Sequence, residues 1–326
     1  MFCGNNLLHC CNLRLYNRYM EKRSTAGRLQ QWIPRLLIFG FICLFACVKT
    51  PTRAVSQEET VSNDAPVALT GNAPEASPAS AELLLPEASG TVVYQGQGVT
   101  IDASHTDQGY VMMRCEQTEK RLKARISTSA QTYYYDLPSG GEYSVYPLQM
   151  GSGAYTLRVM EQVENDLYAV RYSVDIQVSL ASETIPFLYP SQYVWYDAES
   201  NAVQASRDLV GDLTDEEKIA KACYRFVVRN VGYDVEKAKS VKSGYLPNAD
   251  ETLETGKGIC FDYSVLLAVM LRSQGIPTRV MIGMVSPENL YHAWNSVYLN
   301  GEWVWMDATL DGTGHRESDY ATEKIY

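Results

Sequence analysis

Three side chains near the end of this sequence are of the types that nucleophilic chemistry on amides uses: Cys260, His292 and Asp307. A cysteine attacks a carbonyl carbon as the thiolate, so it needs surroundings that favour the anion. An imidazole can hold that thiolate in an ion pair and later protonate the leaving amine. A carboxylate can fix the tautomer and orientation of the imidazole. Taken singly, each residue has a plainer reading. A cysteine at a helix start is commonly packing, a strand histidine among aromatics is commonly structural, and an aspartate at a strand end commonly forms a turn. The catalytic reading depends on whether the surrounding elements bring the three together.

The elements that must position them are legible. Asn300-Gly301 separates two alternating runs, the strongest short-range signal for a two-residue hairpin. Strands Tyr291–Leu299 and Glu302–Thr309 then pair with Leu299 opposite Glu302, Tyr298 opposite Trp303, Trp294 opposite Asp307 and His292 opposite Thr309. Opposed residues share a face and every second residue stays on it. His292 and Asp307 thus become diagonal neighbours at roughly 7 Å, within reach of a side-chain hydrogen bond. A slip of one residue would separate them. Trp294, Trp303 and Trp305 share that face, where packing between sheet and helix is the expected role. A preceding strand is expected over Arg279–Val285.

Cys260 follows Gly256-Lys257-Gly258 and opens an expected helix to Ser273, stopped by Gly275 and Pro277. The helix is apolar on most sides, which predicts a buried central helix. Its free N-terminal N–H groups and dipole favour an anion at Cys260, whose own N–H is a candidate oxyanion donor. No second donor is assigned; Tyr224 and Tyr233 lie upstream as candidates only.

Four separated blocks now stand in order: Gly258-Ile259-Cys260-Phe261-Asp262-Tyr263-Ser264, then Leu271-Arg272-Ser273-Gln274-Gly275-Ile276-Pro277-Thr278-Arg279, then His292-Ala293-Trp294-Asn295, then Trp305-Met306-Asp307-Ala308-Thr309. In order and spacing they resemble the bacterial transglutaminase-like superfamily, over roughly residue 209 to the C-terminus. The resemblance implies a papain-like α+β fold, a central helix packed on an antiparallel sheet, with Cys260 as nucleophile, His292 as base and Asp307 as the orienting acid. Ser296 departs from the family, which often has Glu there; this affects the rim of the site and leaves the triad untouched.

Upstream, the composition changes. Leu36–Val48 is an unbroken apolar run after a basic stretch. Thirteen residues at helical rise span roughly 20 Å, short of a bilayer core of roughly 30 Å. That length fits a signal-peptide core. Cleavage at a lipobox-like Leu44-Phe45-Ala46-Cys47, lipidating Cys47, cleavage near Ala54, and an uncleaved anchor are the three outcomes compatible with the run. Met20 is an alternative start. Five of the eight cysteines sit in or beside this segment. Only Cys115, Cys223 and Cys260 remain, an odd number that leaves at least one free thiol. Cys115 and Cys223 read as buried apolar thiols. No Cys/His cluster suggests a metal site, and no cofactor is expected.

The resulting organisation is a signal or anchor at 1–49, a linker at 50–90, a β-sandwich at 91–181 and the catalytic domain at 182–326. The linker is rich in Ala, Pro, Ser, Glu and Thr and too poor in aromatics to order itself, although Leu83-Leu84-Leu85 could dock. Seven strands are expected in the sandwich: Val92–Ile101, Tyr110–Glu116, Leu122–Ser127, Gln131–Leu137, Glu142–Leu148, Tyr155–Gln162 and Leu167–Leu180. Short alternating strands between polar turns point to an immunoglobulin-like type without its disulfide. His105 there has a surface role by default. In the catalytic domain, Thr214-Asp215-Glu216-Glu217 is a capping box opening an amphipathic helix to about Val228. The polar run Glu236–Gly256 has no period and reads as a long loop.

The formal charge is −10 overall. Six bases against one acid give the first 47 residues +5, so the rest carries −15. An acidic body argues against a phosphate-binding face, and hence against nucleic acid as partner. The expected function is an exported thiol enzyme at the cell surface or outside it, attacking a protein, peptide or cell-wall amide through an acyl-thioester. The thioester could go to an amine or to water. The absence of a D-x-D-x-D-G loop argues against calcium control. The membrane enters only through the N-terminal segment. The competing reading is a silent binding or structural module with the sandwich as the working part. A third has the sandwich bind cell-wall glycan or protein and deliver the enzyme, with Tyr133, Tyr134 and Tyr135 as candidates, although packing in the strand core is the expected role of these three.

Overall fold

The structure, a computed structural model, describes residues 82–326. The expected targeting segment, Cys47 and most of the expected linker lie outside these residues. Two leucines at the linker's end lie inside and are docked. Leu83 packs against the core of the C-terminal helices, and Leu84 against a cluster of Tyr110, Val145 and Tyr189.

Residues 93–178 form eight strands: β1 (Val93–Gly96), β2 (Val99–Asp102), β3 (Tyr110–Cys115), β4 (Leu122–Ser127), β5 (Thr132–Leu137), β6 (Ser144–Pro147), β7 (Gly153–Glu164) and β8 (Leu167–Val178). They build two antiparallel sheets, ordered β1-β2-β3-β6 and β5-β4-β7-β8. Alternation decides which residues turn inward. In β4, Leu122, Ala124 and Ile126 are buried, and Lys123 and Arg125 are not. Inner residues of both sheets, such as Ile101, Met113, Ile126, Tyr135, Leu157 and Ile176, meet in one buried cluster. The expected strand Val92–Ile101 is in fact a hairpin. Gln97 and Gly98 take φ of 54° and 71° and reverse the chain, a turn hidden because Gly96-Gln97-Gly98 does not interrupt the two-residue period.

The C-terminal part runs α1 (Asn201–Val210), α2 (Glu216–Asn230), β9 (Gly232–Tyr233), α3 (Val235–Ser240), α4 (Ala249–Thr255), β10 (Lys257–Gly258), α5 (Cys260–Arg272), β11 (Thr278–Val285), β12 (Leu290–Leu299), β13 (Glu302–Met306) and β14 (Tyr320–Ile325). Every residue of α5 from Asp262 to Arg272 is buried. An apolar helix can satisfy all its sides only between layers. Here α1, α2 and α4 contact it, as do β11 and β12 of a four-stranded antiparallel sheet ordered β13-β12-β11-β14.

Several expectations are corrected. The cap of α2 is Asp215, whose carboxylate accepts from the N–H of Lys218, not Thr214. The stretch read as one long loop holds α3 and α4, capped by Asp234 and Asn248. Helices of six and seven residues are too short to show an apolar stripe, and caps specify them instead. The α1 helix was not anticipated, because its buried face is Ala202, Val203, Ser206 and Val210, small or hydroxylic apart from the valines. The β14 strand was missed because none of it is fully buried and it shows no alternation.

β14 also ties this sheet to the N-terminal strands. The Lys324 ammonium donates to the carbonyl of Thr132 at 3.1 Å, and the N–H of Ile325 to the Tyr133 hydroxyl at 3.3 Å. The Tyr326 ring lies against Tyr193 and Tyr133, with centroids 4.2 and 5.6 Å away. Among the described residues no helix is long and apolar enough to cross a membrane, and no group of His, Cys, Asp or Glu could hold a metal.

Candidate active site

The hairpin that carries two of the candidate residues has the expected register. Asn300 and Gly301 both have positive φ, 51° and 88°, which a type I′ turn requires and glycine adopts freely. Leu299 pairs with Glu302, Tyr298 with Trp303 and Ser296 with Trp305. The ladder stops at Asn295–Met306, three pairs earlier than the expected strand Glu302–Thr309. The cause is Asp307 itself. Its Oδ1 accepts the N–H groups of Thr309 at 2.8 Å and Leu310 at 3.0 Å, a local turn that competes with the sheet. The turn leaves Oδ2 for the imidazole: His292 Nε2 lies 2.7 Å away, with both side chains 1% exposed.

Two further contacts hold Asp307, one at its carboxylate and one at its backbone carbonyl, and were not foreseen. The Tyr320 hydroxyl donates to Asp307 Oδ2 at 2.7 Å. The Tyr224 hydroxyl donates to the Asp307 carbonyl at 2.9 Å and to Asp311 Oδ1 at 2.9 Å. Tyr224 therefore braces the Asp307 turn and does not line the cleft. Nothing in the polar run before Tyr320 marks it as a partner.

The helix start that carries Cys260 is built as tightly. β10 pairs in parallel with β9, Gly258 against Tyr233. A Cβ on Gly258 would stand 2.5 Å from the Cβ of Asp262, so glycine permits the approach. Asp262 is fully buried. Its Oδ2 accepts the N–H of Ile259 at 2.7 Å and the ammonium of Lys237 at 2.9 Å, and its Oδ1 accepts the Tyr245 hydroxyl at 2.6 Å. Both ends of the segment from α3 to Tyr245 are thereby tied to the residue two places after Cys260. No sequence pattern pointed to this anchor.

Cys260 and His292 line one cleft of about 180 Å3, with Tyr233, Tyr245, Phe261 and Tyr291 among its walls. The His292 imidazole is hydrogen-bonded to Asp307, and the Cys260 sulfur is near enough to act on its charge. Burial opposes its charge, but the Asp307 carboxylate and the Cys260 sulfur outweigh burial and raise its pKa above the ordinary imidazole value. Burial pushes the Asp307 carboxyl up, yet His292, the N–H of Leu310 and the Tyr320 hydroxyl together hold it below the ordinary range. Cys115 and Cys223 are buried and unpaired, while Cys260 is partly exposed. Burial pushes the Cys223 thiol up to about 12.

The tryptophans do not pack between sheet and helix as expected. The helix side of the sheet takes Val280, Val297 and Leu299. The opposite alternation places Trp294 against His292 and Tyr320, with centroids 6.4 and 4.9 Å apart, and Trp305 against Tyr320 at 5.0 Å. Trp303 stacks under the Arg279 guanidinium, 3.7 Å from its centroid. They form the outer wall behind His292.

A buried helix carrying a thiol at its start, set on an antiparallel sheet that carries a His–Asp pair, defines a papain-like α+β domain. Residues 203–308 match the model of the transglutaminase-like superfamily. That stretch of the chain is thus similar to a transglutaminase-like domain. A curated relative, the UPF0252 protein MJ1282 of Methanocaldococcus jannaschii, is 31% identical over 101 residues, covering 28% of this chain and 28% of the relative. A candidate cysteine protease from Cytophaga hutchinsonii is 17% identical, with a TM-score of 0.40 over 72% of this chain and 78% of that one. A solved TGase is 24% identical, with a TM-score of 0.29 over 36% of this chain and 31% of that one.

Proposed function

We propose that the protein is an exported thiol enzyme attacking amide bonds through Cys260, His292 and Asp307. The observation that carries this reading is the buried His292–Asp307 contact of 2.7 Å beside a partly exposed cysteine at a helix start. The Cys260 thiolate adds to the amide carbonyl carbon, with the Cys260 N–H as an oxyanion donor. The tetrahedral adduct collapses as His292 protonates the leaving nitrogen. The C–N bond breaks, the amine departs and an acyl-thioester remains. An amine or water then attacks the thioester, gives its proton to His292 and releases the thiolate. The first acceptor gives a cross-link and the second gives hydrolysis. Asp307 keeps one imidazole nitrogen engaged and orients the other toward sulfur.

The substrate in this reading is a protein, peptide or cell-wall amide met outside the cell or at its surface. The apolar run Leu36–Val48 supports export, with Cys47 as the lipidation candidate. Residues 91–181, which hold the strands of 93–178, would form an immunoglobulin-like delivery module. Its sheet order supports that type: β2-β3-β6 against β5-β4-β7-β8 fits an A-B-E sheet facing a C′-C-F-G sheet. The test incubates wild type and Cys260→Ala with a glutamine peptide and a primary-amine probe and scores products by mass spectrometry. Cysteine-dependent amine incorporation or deamidation is expected. Identical product profiles for the two proteins would refute the enzyme reading.

A further inference from the structure

We infer that the cleft selects acidic peptides, through Lys239 and Lys242 on its rim. The inference rests on reading this cleft as the substrate site. Apart from His292, the only charged side chains lining the cleft are these two lysines, and no Asp or Glu lines it. That is the reverse of the molecule as a whole, whose net charge is −10. A cationic rim on an acidic protein creates a local attraction that the overall charge does not supply.

Both lysines are available. Lys242 is exposed and makes no ion pair among the described residues. Lys239 pairs with Glu236 at 2.9 Å, an exposed contact of little energetic weight that a substrate carboxylate can replace. Their segment is held at both ends. Lys237 and Tyr245 bracket it in sequence, and both bind the buried Asp262, at 2.9 and 2.6 Å. The rim charges are therefore fixed relative to the helix start that carries Cys260. Lys237 is neutralised by Asp262 and does not join them. Besides Glu236, the acids that act on the cleft walls are Asp262 and Glu251, near Tyr245, and Glu323, near Tyr291; none of them lines the cleft. Between rim and nucleophile the walls are aromatic and apolar. The occupant that fits is an extended peptide whose reacting residue contacts the apolar walls and whose neighbouring Asp or Glu meets the lysines.

Binding can be separated from turnover by using the Cys260→Ala protein. Fluorescence anisotropy would compare three labelled peptides with one glutamine-containing centre, flanked by Glu, by Ala or by Lys. The Glu-flanked peptide is expected to bind on the order of 10-fold tighter than the Lys-flanked one, the range that complementary charge supplies. Adding Lys239→Glu and Lys242→Glu should invert the order. The milder Lys239→Ala, Lys242→Ala pair should abolish it, and circular dichroism would verify folding of both. Equal binding of the three peptides, no binding of any, or an order indifferent to the lysine changes would overturn the inference. Turnover of the same peptides by wild type tests the enzyme separately. Charge-ordered binding without turnover would reject the proposed function alone. Turnover without charge order would reject the acidic preference alone.

Discussion

The Nε2 of His292 and the Oδ2 of Asp307 stand 2.7 Å apart with each side chain 1% exposed, so neither charge has water to fall back on. The shifts of the two groups run in opposite directions, and together they define a pH window for stability. The folded pKa of His292 is raised, so its contribution is fully present below the unfolded value of about 6.5 and declines as pH rises toward the folded value. The folded pKa of Asp307 is lowered, so its contribution is present above about 3.9 and is lost as pH falls toward the folded value. The stability difference between wild type and His292→Gln should therefore be widest between about pH 4 and about 6.5 and shrink on either side. Urea midpoints across pH would measure it. A difference that grows steadily toward alkaline pH would contradict the ion-pair assignment.

The same contact makes a chemical prediction. Cys115 and Cys223 are buried and Cys260 is not, so among these three an alkylating agent should label Cys260 first. His292→Ala should slow that labelling, because the imidazolium that supports the thiolate is gone. Peptide mapping after timed iodoacetamide treatment reads each site separately. Equal labelling rates in wild type and His292→Ala would remove His292 from the activation of the thiol.

Tyr320 offers a conservative test of the carboxylate's support. Tyr320→Phe keeps the ring against Trp294 and Trp305 and removes only the hydroxyl that donates to Asp307. A hydrogen bond to a charged group contributes about 1.5–3 kcal/mol. The variant should therefore lose about that much unfolding free energy and on the order of 10-fold in kcat. Asp307→Asn should lose far more, on the order of 10³–10⁴-fold, if orientation of the imidazole limits the rate. Steady-state rates of the two variants, side by side, test that ranking.

How much of this was legible depended on whether a signal was local. Asn300-Gly301 and the flanking alternation fixed the register, because a two-residue turn leaves no freedom in pairing. The contact of His292 with Asp307 followed even though the strand ended three pairs early. The helix from Cys260 was legible from its uniform apolarity and its Gly-Ile-Pro stop. What stayed hidden was contributed by residues distant in sequence: Tyr320 on an exposed edge strand, and Lys237 and Tyr245 in a polar run. Their role lies in one hydrogen bond each, and a single polar side chain has no period. The tryptophan wall was misplaced for a related reason. Alternation says which residues share a face, but not which face meets the helix.

The Lys237–Asp262 pair is the part of the site whose energy can be apportioned. Asp262 is fully buried and Lys237 is 24% exposed, so removing the ammonium strands a carboxylate in a place where water is scarce. Stranding a buried charge typically costs ~3–5 kcal/mol. Here the N–H of Ile259 and the Tyr245 hydroxyl remain as donors, so Lys237→Met should fall at or below the lower end of that range. Asp262→Asn retains the shape but gives up charge at a position close to a helix N-terminus, where an anion is favoured. The double variant has no ion left to strand. Its loss should be smaller than the sum of the two single losses, with a coupling of about 1–3 kcal/mol from a double-mutant cycle in urea. Strict additivity would mean that the 2.9 Å contact contributes nothing beyond proximity. The loop from α3 to Tyr245 would then have to be held over the cleft by its packing alone.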